Sequence, residues 1–134
     1  MHRIKVDFAI FDFEGSPEEL TSQLGVEPTR TYLKGEKVSP NAKLVRKHSC
    51  WILTSGSDSN LHLEDHLEAL AAQIQPHIER FQAVCGKYYS EFRCRLHLKR
   101  VSKESIPSVH LTPSFCKLML SLNAELDLDI YVED

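Results

Sequence analysis

Two segments near the C-terminus alternate strictly between apolar and polar side chains, and their polar rows carry opposite charge. From Tyr88 to Lys99 the apolar set is Phe92, Cys94, Leu96 and Leu98, against Glu91, Arg93, Arg95, His97 and Lys99. From Glu125 to Glu133 it is Leu126, Leu128, Ile130 and Val132, against Glu125, Asp127, Asp129, Tyr131 and Glu133. A period of two puts alternate side chains on opposite faces of a strand. Each segment is therefore expected to lay one face on a core and the other in water. Opposite charges in facing positions stabilise neighbouring strands, so the two segments are expected side by side, with their charged rows neutralising each other. The helical segment between them makes that pairing parallel, by a crossover.

The rest of the chain supplies the elements that such a sheet needs. Ile4, Val6, Phe8 and Ile10 alternate with Arg3, Lys5 and Asp7 in a first strand, whose far end carries Phe11 and Phe13. Ser16-Pro17-Glu18-Glu19 reads as a helix start: a hydroxyl cap, a proline where a missing N–H is harmless, and a glutamate able to reach back. Leu20 and Leu24 give that helix a buried stripe, and Gly25 suits a left-handed end. Thr29 to Leu33 is a short second strand and Cys50 to Thr54 a compact third, with a cationic stretch over 36–48 expected as a mobile loop. After a turn-rich linker, Ser55 to Asn60, helical spacing of Leu63, Leu67, Leu70, Ile74, Ile78 and Phe81 predicts a long helix from about Leu61 to Cys85, bent at Pro76. Thr112-Pro113 repeats the capped start for a last helix ending at Asn123. The order β-α-β-β-α-β-α-β is that of an α+β fold. It suits a two-layer αβ sandwich with a ferredoxin-like β-α-β-β-α-β core and an additional α-β unit at the C-terminus.

At 134 residues the chain fits one domain, 1–134, with a core of its own. A net charge of −3 gives no general attraction to nucleic acid or anionic membrane. No apolar run approaches the roughly 20 residues of a membrane helix, and Met1 to Lys5 leads into a strand without a signal-peptide core. Cys50, Cys85, Cys94 and Cys116 lack Cys-x-x-Cys spacing, which suits reduced, mostly buried thiols in the cytoplasm.

Few residues suggest chemistry. His62 and His66 stand four apart on a helix, but zinc needs a third and usually a fourth ligand. Both are read as solvated histidines at the edge of the apolar stripe, with no metal and no cofactor expected. Asp12, Glu14 and Glu18 gather where the first strand meets its helix, a place where carboxylates ordinarily favour the positive helix end. Lys34, Lys37, Lys43, Arg46, Lys47 and His48 form a basic arm. RNA binding on such a sheet calls for aromatics on the exposed strand face, where only Tyr89 stands, at its edge, and the acidic last strand would repel the backbone. Nucleic acid is accordingly disfavoured. Trp51 is expected as a core anchor, and Cys50 beside His48 lacks the third group that would orient a nucleophile.

Phe8-Ala9-Ile10, Pro17-Glu18-Glu19-Leu20-Thr21 and Leu24-Gly25-Val26-Glu27-Pro28-Thr29-Arg30-Thr31, leading to Lys34-Gly35, resemble the DUF 4279 family of small bacterial proteins. Trp51, the Leu63-to-Leu70 helix and the closing Leu126-Asp127-Leu128-Asp129-Ile130-Tyr131 are also similar to that family. The family has no assigned function, so the resemblance implies a bacterial, cytoplasmic, single-domain protein and transfers no catalytic residue. With no catalytic constellation and with surfaces segregated by sign, the chain is expected to be a non-enzymatic protein-interaction module, immunity- or adaptor-like. The alternative is a small-ligand binder or enzyme built on Asp12, Glu14, Thr29, Arg30, Thr31 and Lys34. RNA binding through the basic arm ranks third. The expected partner is another protein, or a second copy meeting at the sheet edges.

Overall fold

The computed structural model describes residues 2–59, 62–101 and 103–134. Met1, Asn60, Leu61 and Ser102, and with them the expected helix start at Leu61, lie outside the described residues. Strands β1 (Arg3–Phe11), β2 (Arg30–Tyr32), β3 (Cys50–Thr54), β4 (Ser90–Lys99) and β5 (Glu125–Glu133) form one mixed sheet in the order β2-β3-β1-β4-β5. All neighbours are antiparallel except β4 and β5, which run parallel with Arg93 opposite Asp127 and Arg95 opposite Asp129. The two alternating segments are thus adjacent, in the register that their patterns favour. The fold is α+β.

Helices α1 (Pro17–Leu24), α2 (Leu63–Ile74), α3 (Ile78–Cys85) and α4 (Pro113–Ser121) contribute their buried residues to one core with the inner rows of the strands. The proline-led starts behave as their sequences dictate. Ser16 accepts from the Glu19 N–H and Thr112 from the Phe115 N–H, each at 3.1 Å. Gly25 ends α1 at φ 78°, a left-handed conformation that favours glycine, with the Arg80 and His77 side chains of the α3 end close by. The expected bend at Pro76 is a full interruption: Gln75–His77 form a 3₁₀ turn between α2 and α3. An aromatic chain crosses the core through Trp51, Phe81, Phe8, Phe92 and Phe115, with successive centroids 4.9 to 6.2 Å apart.

Two expectations change at the level of single side chains. His66 is not a solvated boundary residue; it is buried, 2.7 Å from the Ser55 hydroxyl, because the end of β3 closes over that side of α2. His62 is exposed, so the spacing of four leaves the two imidazoles in different environments. The arginines of β4 do not pair with the acids facing them in β5. Arg93 and Arg95 converge instead on Asp7 of β1, at 3.3 and 4.0 Å. Asp7 is buried on the outer sheet face, where a lone carboxylate is costly, and it draws both cations toward the sheet centre.

Candidate functional site

The outer sheet face has an apolar end and a charged end. Ala9, Cys50 and Ile52 are buried there with Phe11 and Tyr32 packed against them. Residues 33–48 form an excursion that returns over this cluster. Gly35 N–H donates to Arg46 O, Arg46 N–H to Glu36 O, and Lys37 bridges Val45. Arg46 is thereby delivered to the Tyr32 ring, 4.0 Å from its centroid. Burial pushes the Cys50 thiol up, which keeps it protonated and takes it out of a nucleophilic role.

At the end of β1 the chain turns through Asp12, whose φ of 51° is unusual for a residue with a side chain. The conformation is held from three sides. Asp12 N–H donates to Ser49 O, its Oδ1 accepts from the Ser49 N–H at 3.1 Å, and its Oδ2 accepts from His48 Nδ1 at 2.8 Å. The His48 hydrogen bond holds the Asp12 carboxyl below its ordinary value. His48 in turn lies edge-on to Phe11, with centroids 6.3 Å apart. Phe11 and Tyr89 face one another at 5.6 Å, and the Tyr89 hydroxyl donates to Glu91 Oε2 at 2.7 Å. That hydrogen bond to Glu91 is the main reason the phenol is pushed far up. Phe11, Asp12, His48, Lys87, Tyr88, Tyr89 and Glu91 line an open groove of about 500 Å³.

The six residues singled out by sequence do not form one site. Asp12 lines the groove, and Lys34 stands near it, its N–H donating to the Ser49 hydroxyl. Glu14 is exposed beyond the strand end. Thr29 Oγ1 accepts from the Thr54 N–H and is occupied in joining β2 to β3. Arg30 and Thr31 are successive strand residues and so face opposite sides of β2. Thr31 belongs instead to a smaller cavity with Pro17, Thr21 and Pro28. Sequence reasoning missed His48, Phe11, Tyr89 and Glu91 as a group. His48 was visible only in a basic arm and as a neighbour of Cys50, 36 residues from Asp12.

A second feature lies at the free edge. β5 has β4 on one side and, among the described residues, no strand on the other. Glu133 is paired with Lys99 and His97 at the far end, where Tyr131 also stacks on His97. Asp127 and Asp129 have no cationic side chain within 4.0 Å among the described residues. Ile130 and Val132, on the opposite row, are more than half exposed.

The family profile described as "Domain of unknown function (DUF4279)" matches residues 2–133. The chain belongs to the DUF4279 family. No curated protein and no solved structure matches this DUF4279 chain. Among its described residues, no helix is long and apolar enough to cross a membrane.

Proposed function

We propose that this DUF4279 chain is a non-enzymatic protein-interaction module, immunity- or adaptor-like, that takes its partner by strand addition along β5. The observation that carries the reading is the free edge itself: a nine-residue strand whose outward backbone edge meets no strand among the described residues, with Asp127 and Asp129 lacking a described cation within 4.0 Å on one face and Ile130 and Val132 exposed on the other. An open edge offers main-chain hydrogen bonds to any extended segment, and the alternating side chains select which one. A carboxylate row on one face and an apolar row on the other select a partner strand with basic and apolar residues in alternation. A second copy is disfavoured. In every antiparallel register that overlaps the two strands by five residues or more and keeps the helices of both copies on one side, an acid of one β5 faces an acid of the other. The same carboxylates disfavour nucleic acid.

The strand order β4-β1-β3-β2 with antiparallel neighbours supports classing the first six elements as a ferredoxin-like core, with α4 and β5 as the added unit. The family match over 2–133 supports treating 1–134 as one domain.

The test is a titration with two labelled extended peptides, one alternating Lys and Val and the other Glu and Val. The Lys peptide should bind with an affinity that falls steeply with salt, and should protect the β5 amides from exchange. Exchanging both Asp127→Lys and Asp129→Lys should reverse the preference. Equal binding of the two peptides, or none, would overturn the proposal.

A further inference from the structure

The groove at the other end of the sheet carries a separate inference, independent of the β5 edge. We infer that it is a binding site for a small aromatic zwitterion, a molecule with one ring flanked by an ammonium and a carboxylate. Its aromatic walls are Phe11 and Tyr89, with rings 5.6 Å apart and inclined at 48°, an open angle into which a third ring can lie against one face and one edge. Tyr89 is about half exposed, yet its ring is not free to swing, because its hydroxyl is tied to Glu91.

The charges lining the groove are of both signs and do not cancel each other. Lys87 and Glu91 share the groove without an ion pair within 4.0 Å. Glu91 uses Oε2 to accept from Tyr89, and its second oxygen has no hydrogen bond to another described residue. It can receive an ammonium, which the adjoining aromatic faces would also favour. Lys87 offers an ammonium to a carboxylate. Both oxygens of Asp12 are engaged by His48 and Ser49, and the Asp12–His48 pair forms a fixed wall beside Phe11. At about 500 Å³ the groove is in the range of small-ligand sites and has room for a molecule the size of an aromatic amino acid. A purely anionic or purely cationic ligand would leave one of the two charges unmatched.

The experiment titrates the protein with L-phenylalanine, phenethylamine and 3-phenylpropionate, following amide and aromatic NMR shifts. Phenylalanine should bind best, with each single-charge analogue weaker by about tenfold, the loss of one charge-assisted contact. Lys87→Ala should weaken phenylalanine and phenylpropionate and leave phenethylamine unchanged. Glu91→Gln should weaken phenylalanine and phenethylamine and leave phenylpropionate unchanged. Asp127→Lys with Asp129→Lys, which disables the proposed edge, should leave all three affinities as they were. No shifts in the groove at millimolar ligand, or equal loss of all three ligands in both single variants, would overturn the inference.

Discussion

Asp7 shows how one buried charge reorganises its neighbours. It is 8% exposed, and Arg93 and Arg95 turn to it although each faces an acid in β5. Arg93→Met keeps the aliphatic length and removes the cation, leaving Asp7 with the weaker Arg95 contact. Breaking a buried pair from one side typically costs about 3 kcal/mol. Asp127→Asn, on the wet edge and without a cationic partner among the described residues, should change stability by less than about 0.5 kcal/mol. Urea denaturation of the two variants measures the difference. A symmetric effect would restore the simple picture of two strands neutralising each other.

Elements whose signals are local were legible from the sequence. Ser16-Pro17 and Thr112-Pro113 specify helix starts within four residues, and alternation specifies β4 and β5 without reference to anything distant. Thr112→Ala should lower stability by about 1 kcal/mol in thermal or urea melts, because the Phe115 N–H loses its acceptor where that ring packs on Phe92. What the sequence could not reveal depends on contacts between distant segments. The burial of His66 follows from where β3 ends, and Asp12 meets His48 only because the 33–48 excursion returns beside β1. Helical angle alone places His66 at a boundary. The candidate site was legible only at Asp12 and Lys34, since the spacing of Thr29 to Thr31 is that of a strand pairing with β3 and sends consecutive side chains apart.

At the scale of the whole molecule, acid is the sensitive variable. Burial holds the His66 imidazole below 6.5, its ordinary value, while Asp65 and Asp58 pull the other way. The folded chain therefore resists a proton that the unfolded chain accepts below that pH. Stability should be full above about pH 6.5 and decline as pH falls below it, and His66→Gln should flatten the dependence of melting temperature on pH between 7.5 and 5. Equal slopes in the two proteins would assign the acid sensitivity elsewhere. β1 sits at the centre of the sheet, bonded to β3 and, through residues such as Arg3 and His97, to β4. Sheets closed by contacts this distant in sequence fold slowly, since loop closure precedes any gain from pairing. A ribosome that has just released β3 has made a strand with Phe8, Ala9 and Ile10 zipped along one side only. Its other side waits until residues 90–99 emerge, which makes the interval between the two the stage of synthesis most exposed to mispairing.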